Sequence, residues 1–453
     1  MTTRADIERV IQEQQIHTVK LGMPDMDGVY RGKRVPVENF LDGLENGFAQ
    51  CDVLFGWDIA EDLIPNLRFT GWDSGYPDVW LKPDLSTFGV VPWDAGVAQV
   101  VCDFVGEHGE PILIAPRSVL QRVLERVAAK GYQVELALEL EFRIFRETQQ
   151  SLREKHWRDL TPLSPTNSCY SVFRASGDDF LLGPIMRQMN AAGIAVEGYN
   201  REHGPGMYEM NLHHAPGVVA ADRAMLFRNG IKEICTQSDM TACFMAKWNH
   251  EQDGSSGHLH QSLWDAEGQN IFYDPAASHH LSDPLKHYAA GVLKLLPDFM
   301  ALYAPNINSY KRYVVGTWAP TTATWVLETR TTALRVVPGS MKATRIENRV
   351  PGADTNPYLA MAASVASGLY GLEQKLEMPP AARGNAYALS AEEAPPLPRT
   401  LEQAIERFNQ SDLAREFFGE EFVDHYVAMR RWEVDRYHTV VDEWQRERYF
   451  EMI

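Results

Sequence analysis

No other stretch of the chain constrains the fold as tightly as VELALELEFRIF, which begins at Val134. Val134, Leu136, Leu138, Leu140, Phe142 and Ile144 alternate without a break with Glu135, Ala137, Glu139, Glu141 and Arg143. Successive side chains of a strand point to opposite faces, so a period of two means a strand with one wholly apolar face, which has to pack against another layer. On the other face Glu139 and Glu141 stand ~6.5–7 Å apart. Neighbouring carboxylates repel unless a proton or a cation lies between them, and a hard divalent metal suits their oxygens.

Three further segments carry polar groups at strand or turn spacing. In VEGYNREHGPGMYEMNLHH, Glu202 and Glu209 flank the turn signature His203-Gly204-Pro205-Gly206, so a hairpin would bring both carboxylates to one end of a sheet. In GSSGHLHQSLW, Ser256, His258, His260 and Ser262 share one strand face, and an HxH pair there can ligate a metal or serve a phosphate. Basic residues then gather: Lys311 and Arg312, Arg330 and Arg335, and Arg345 and Arg349 with Glu347 between them on one face. Arginine holds carboxylates and phosphates through its planar fork. Taken singly, each segment has a plainer reading, as a solvated strand face, a polar hairpin tip, a bonded histidine pair or an ion-pair ladder.

The arginines matter because the chain as a whole is acidic, with a formal charge of −18 over 453 residues. Such a charge repels nucleic-acid backbones, and no basic aromatic stripe offsets it. An anionic substrate therefore demands locally gathered positive charge. No apolar run is long enough to span a membrane, and MTTRADIERVIQEQQI reads as an amphipathic helix, not a leader. Cys51, Cys102, Cys169, Cys235 and Cys243 form no CxxC pair. They point to reduced thiols in a cytoplasmic protein.

Along the chain, HTVKLGMPDMDGVYRGKRV suggests two strands about an Asp-Gly turn. VENFLDGLENG suggests a helix ending at Gly47, and Pro116 opens another helix after the Gly109-Glu110-Pro111 linker. Residues 377–398, rich in proline and alanine, are expected to form a long surface loop, and the chain from Thr400 onward is expected to be helical.

In this order, ELEF, REHGPGMYE, GSSGHLHQSL, NSYKRY, RTTALRVV and RIENRVPGADTNPYLA resemble the glutamine synthetase family from about residue 15 to the C-terminus. The resemblance implies an α+β fold, with an N-terminal β-grasp domain (residues 1–112) before a catalytic domain with a curved open-barrel sheet (residues 113–453). It implies stacked rings of subunits, often a dodecamer, with active sites between neighbours. It also implies ATP and two or three Mg²⁺ or Mn²⁺ ions per site. By the same carry-over Glu141, Glu202 and Glu209 ligate one metal, and Glu139, His258 and Glu347 the other. Arg312, Arg330 and Arg349 match contacts to glutamate and its γ-phosphate, Arg335 and Arg345 contacts to the nucleotide, and His260 and Ser262 the nucleotide-facing part of their strand. Gly254 matches a glycine lying against glutamate. The implied chemistry is phosphorylation of the γ-carboxylate, followed by displacement of phosphate by an amine.

The sequence departs from that pattern where ammonia would bind. Ammonia-using members carry a glutamate in a Gly-aromatic-Glu-Ala-Pro run, and here Gly316-Thr317-Trp318-Ala319-Pro320 puts Trp318 in its place. A tryptophan accepts no proton but walls an apolar pocket or stacks on a cation. Phe55-Gly56-Trp57-Asp58 replaces the family's Phe-Asp-Gly-Ser-Ser stretch, which brings Trp57 and Asp58 forward as residues reaching a neighbour's site. Asp253 replaces the asparagine before Gly254. These departures resemble the γ-glutamylamide ligases, so the expected acceptor is a substituted amine, with Glu328, Asp58 or a phosphate oxygen as candidate bases. An ammonia-using glutamine synthetase and a non-catalytic family member are the alternatives. Tyr387 lies near where some relatives carry a modified tyrosine, in surroundings that match poorly, and is expected to be an unmodified surface residue.

Overall fold

Thr3 starts the first helix, Arg4–Glu13, through a capping box: its hydroxyl accepts from the Asp6 amide while Asp6 accepts from the Thr3 amide. Ile7 and Ile11, one turn apart, bury the same face. In the computed structural model, which describes residues 3–390 and 393–453, the expected hairpin follows. Strands Thr18–Pro24 and Tyr30–Pro36 pair antiparallel. Their turn is held by Asp25, whose Oδ1 accepts from the Asp27 and Val29 amides, with Gly28 at φ +72°. Thr18–Pro24 also pairs parallel with Val97–Val105, which pairs antiparallel with Asp78–Pro83. With Phe48–Cys51 and Gly89–Val90 these strands make a six-stranded sheet, the sheet of the N-terminal β-grasp unit.

Pro116 stands at the first turn of the helix Pro116–Ala129. The alternating segment then forms the strand Gln133–Phe145, the centre of a nine-stranded sheet. Outward on one side lie Gly257–Trp264, Arg345–Asn348, Leu334–Val337 and Trp325–Leu327; on the other lie Met207–Leu212 and Val196–Arg201. Leu136, Leu138, Leu140, Phe142 and Ile144 are all buried, and each contributes about 1.5–3 kcal/mol on burial. The helices Pro116–Ala129, Gly217–Gln237 and Pro357–Glu373 cover this face. Pro357–Glu373 is apolar nearly all round and buried to match. It packs so closely on Asp283–Leu295 that a Cβ on Gly371 would lie 2.2 Å from the His287 carbonyl.

The described residues of 377–398 form the expected long surface loop, irregular and mostly exposed, which is anchored at several points. Ala386, Ala394 and Leu397 are buried. Ala323 donates to the Pro395 carbonyl (2.8 Å), Leu397 to the Thr321 carbonyl (3.0 Å) and the Trp325 indole to the Pro379 carbonyl (2.7 Å). Proline has no N–H to donate, so the segment bonds along residues 319–325 without becoming a strand. Ala391 and Glu392, within the same expectation, lie outside the described residues.

The C-terminal stretch is helical: Leu401–Gln410, Asp412–Phe418, Glu420–His438 and Glu443–Tyr449. The third of these helices ties three regions together. Arg430 pairs with Asp27 at 2.6 Å, Trp432 Nε1 donates to Asp58 at 3.0 Å, and Glu433 accepts from the Ile307 amide at 2.9 Å. No described helix is long and apolar enough to cross a membrane.

Candidate active site

Cross-strand register sets the polar face of the large sheet. Glu139 stands opposite His258, Glu141 opposite Glu209, and Glu347 opposite both His260 and Arg335. All have the same parity, so their side chains share one face. Glu202 directly follows the neighbouring strand, Val196–Arg201, and leads into the Gly204–Gly206 turn, as its flanking position suggested. One group of ligand atoms converges: those of Glu139, His260 and Glu347 lie within 4.8 Å of one another. His258 Nδ1 is 2.9 Å from Glu139 and 3.6 Å from Glu347. His260, expected to face the nucleotide, thus stands among the candidate metal ligands as well. Its Nδ1 accepts from Arg345 Nε at 3.1 Å. Ser262 lies two positions further along, where its hydroxyl accepts from the Trp264 indole.

A second group is Glu141, Glu202 and Glu209. Burial and then Glu139, Glu141 and Glu202 push the Glu209 carboxyl up to about 10. Burial and then Glu202 push Glu141 up to about 7, although the Ser256 amide donates to its charged form. Among the described residues no lysine or arginine hydrogen-bonds to any of these three. At the other group burial also disfavours charge, but neighbours outweigh it. His258, Arg349 and His260 hold Glu347 down to about 2, and hydrogen bonds from His258 and His260 hold Glu139 far below the ordinary range. His258 itself is pushed down to about 4 by burial and Arg349, so it is the neutral imidazole at pH 7. Glu139 thus keeps its charge mainly through the hydrogen bonds of His258 and His260. Carboxylates left facing one another with this little relief, together with an imidazole, fit hard divalent cations.

The arginines lie beside this face. Arg312 is buried and fixed: its guanidinium donates to the Val350 carbonyl (2.9 Å), the Ser256 hydroxyl (2.8 Å) and the Arg349 carbonyl (3.1 Å). Arg349 donates to Glu347, and Arg335 bridges Glu347 (2.9 Å) and Glu328 (2.7 Å). Arg330 is exposed and makes no ion pair among the described residues. Gly254 admits no side chain, since a Cβ there would lie 2.5 Å from the Ala246 carbonyl and 2.7 Å from Arg312 Cγ. Asp253 is held at both ends: its carbonyl accepts from Arg143 (2.8 Å) and its carboxylate meets His203 Nδ1 (2.7 Å).

Arginine-flanked carboxylates and histidines share one sheet face, and the chain that builds it resembles known proteins over nearly its whole length. The family described as glutamine synthetase, catalytic domain, matches residues 113–449. The chain belongs to the glutamine synthetase family. It is 43% identical over 444 residues to a glutamate–isopropylamine ligase from a Pseudomonas species, covering 98% of this chain and 97% of that one. It is 40% identical over 447 residues to a γ-glutamylethanolamide synthetase of Streptomyces coelicolor, covering 98% and 95%. A solved structure described as a GmaS/ADP complex superposes with a TM-score of 0.86 at 26% identity, over 99% of this chain and 100% of that one.

Within this glutamine synthetase fold, Trp318 is 58% exposed and has φ +63°, a left-handed conformation that a bulky residue adopts only when its surroundings enforce it. Trp57 and Asp58 are engaged elsewhere in their own chain. Asp58 accepts from Trp432 and from the Ala60 and Asp62 amides, and Arg31 stacks over Trp57 at 5.3 Å. Neither makes a hydrogen bond to the carboxylate or arginine groups of the same chain. Glu328, one of the candidate bases, is tied to Arg335.

Four residues make contacts at the site that the sequence did not assign to them. Cys169 Sγ donates to Glu202 at 3.7 Å, with its thiol pushed up to about 11 by burial and Glu202. His203 and Arg143 fasten Asp253. Tyr387, expected at the surface, is half-buried with its hydroxyl donating to the Ala319 carbonyl at 2.9 Å. Each meets its partner across a long sequence gap, so local periodicity carries no trace of the pairing.

Proposed function

We propose that the chain is an ATP- and divalent-cation-dependent ligase joining the γ-carboxylate of L-glutamate to a substituted amine, giving a γ-glutamylamide, ADP and phosphate. The observation that carries the choice of acceptor is Trp318, standing where an ammonia-using member has its acid, in a chain 43% identical to a glutamate–isopropylamine ligase.

The residue roles in this reading are those that the family resemblance implies, and the shared sheet face supports them. Glu141, Glu202 and Glu209, and Glu139, His258 and Glu347, would hold divalent ions, Mg²⁺ or Mn²⁺, which would supply Lewis acidity towards the γ-carboxylate and the transferred phosphoryl group. Arg312 is prearranged by three acceptors, so it presents a fixed positive charge with no reorganisation at the moment of reaction. Arg330 and Arg349 complete the contacts to glutamate and its activated carboxyl group. Arg335, Arg345, His260 and Ser262 serve the nucleotide. Gly254 lets the backbone lie against glutamate, and Asp253 offers a carboxylate to its α-ammonium group. Trp318 walls the acceptor pocket, and Trp57 and Asp58 reach it from a neighbouring subunit.

Assembly into stacked rings, with a dodecamer as the reading, is supported by large apolar side chains left exposed on one chain: Trp72, Val172, Phe173, Phe180, Phe450 and Ile453. A cytoplasmic location accords with five free cysteines.

The test is ATP-dependent phosphate release with glutamate and Mg²⁺, using ammonia, methylamine, isopropylamine, ethanolamine, putrescine and aniline in turn. The expected result is strong turnover with one substituted amine and little with ammonia. Turnover with ammonia alone would make the chain a glutamine synthetase in activity as well as family.

A further inference from the structure

The turn that bears Trp318 is held from outside its own sequence. Gly316 at φ +86° and Trp318 at φ +63° both lie in the left-handed region, which an indole-bearing residue occupies only if neighbours over-determine it. Inside the turn the restraints are the Thr317 amide and hydroxyl, both donating to the Val314 carbonyl at 3.2 and 2.8 Å. These fix the residues before Trp318. On the far side, Ala319 is buried, and its carbonyl accepts from the Tyr387 hydroxyl at 2.9 Å.

Tyr387 is well placed to act as a brace because its own segment is anchored on both flanks. Before it, Ala382 donates to the Trp325 carbonyl (3.0 Å) and the Trp325 indole donates to the Pro379 carbonyl (2.7 Å). After it, Ala323 donates to the Pro395 carbonyl and Leu397 to the Thr321 carbonyl. Asn385 accepts from the Tyr387 amide at 3.1 Å and fixes the short 3₁₀ turn Ala386–Ala388 that carries the ring.

We infer that Tyr387 is a positioning residue for acceptor selectivity: through Ala319 it holds Trp318 in the conformation that walls the amine pocket. This deepens the reading of the chain as a substituted-amine ligase and rests on it. Two segments about 70 residues apart in the chain then build one wall, and the size of amine accepted depends on both.

The experiment compares the full-length assembled enzyme with its Tyr387→Phe and Tyr387→Ala variants, using ATP, glutamate and Mg²⁺ with isopropylamine and with ammonia. Loss of one net hydrogen bond of ~1 kcal/mol corresponds to about five-fold. Tyr387→Phe is accordingly expected to raise KM for isopropylamine about five-fold, leaving kcat and the KM values for glutamate and ATP within about two-fold. Tyr387→Ala is expected to raise the ratio of ammonia to isopropylamine use as well. Amide hydrogen exchange over residues 314–320 should quicken in Tyr387→Phe, a readout that does not depend on turnover. An unchanged amine KM with unchanged exchange would overturn the inference, as would equal rises in KM for amine, glutamate and ATP, which mark a general structural role. If the wild type turns over ammonia alone, the functional reading fails first and the inference fails with it.

Discussion

Glu139 and His258 face each other in register across two antiparallel strands, with Oε1 2.9 Å from Nδ1. His258 is buried and Glu139 half-buried, yet they carry a single charge between them at neutral pH, because burial and Arg349 keep the imidazole neutral. The other carboxylate group, Glu141, Glu202 and Glu209, has no such partner. A cation is thus needed more at one end of the face than at the other.

That asymmetry predicts how Glu209→Gln behaves. Removing one member of a mutually repelling set should leave the melting temperature of the metal-free protein unchanged or slightly higher. The rise in melting temperature on adding Mn²⁺ should shrink, and Mn²⁺ affinity should fall by about 100-fold or more. Thermal shift with and without chelator measures both. A clear loss of metal-free stability with a normal Mn²⁺ response would argue against Glu209 as a ligand.

Gly254→Ala should cost activity out of proportion to its size. Its Cβ would meet the Ala246 carbonyl at 2.5 Å and displace Arg312 at 2.7 Å. A displacement of this order at a positioned charge costs about 100-fold in kcat/KM. Steady-state kinetics should locate the loss in glutamate and not in ATP.

Trp318→Glu should exchange one acceptor preference for another. An acid in place of the indole supplies a proton acceptor and removes apolar wall, so kcat/KM for the preferred amine should fall by about ten-fold or more while ammonia use rises relative to it. A variant with full amine activity and no gain with ammonia would show that this position does not select the acceptor.

His425 gives the protein an acid-sensitive seam. It is buried against Phe69, and burial pushes its pKa down to about 4 from an ordinary 6.5. The folded form holds it neutral, while the unfolded form takes up a proton as pH falls below 6.5. Its contribution to stability is therefore complete above pH 6.5 and is lost progressively between pH 6.5 and 4, to a total of ~3 kcal/mol. The melting temperature of His425→Phe, which keeps an aromatic ring there, should fall less over that window than that of the wild type.

The segments of local regularity were legible in advance. The period of two around Glu139 announced the central strand and which side would pack; Pro116, the Asp25–Gly28 turn and the His203–Gly206 turn announced their boundaries through backbone chemistry. Glu139, Glu141, Glu209, His258, His260, Arg335, Arg345 and Glu347 could be read from parity, because they sit on such strands; Glu202, Arg312, Arg330 and Arg349 lie outside the strands, and their roles came forward only through the resemblance. Relations between distant segments were not legible. Nothing near Tyr387 specifies Ala319 as its partner, nothing near Asp253 specifies His203, and nothing in the proline-rich loop announces its bonds to residues 319–325, because they follow no local period. Trp57 and Asp58 belong to the same class, since what they serve lies outside their own chain in the proposed assembly.

The strand Gln133–Phe145 also sets a rule for how this chain tolerates changes in length. Its two faces differ completely in what they meet, a helix layer on one side and the charged groups on the other. Inserting one residue between Val134 and Leu138 would shift every later side chain to the opposite face. Glu139 and Glu141 would be driven into the apolar layer, and Leu138 and Leu140 would confront the cations. Inserting two would restore the faces but slide the carboxylates about 6.5–7 Å past His258 and Glu209. Insertions and deletions should therefore be found in the turns and never in this strand, which acts as the ruler against which the rest of the site is measured.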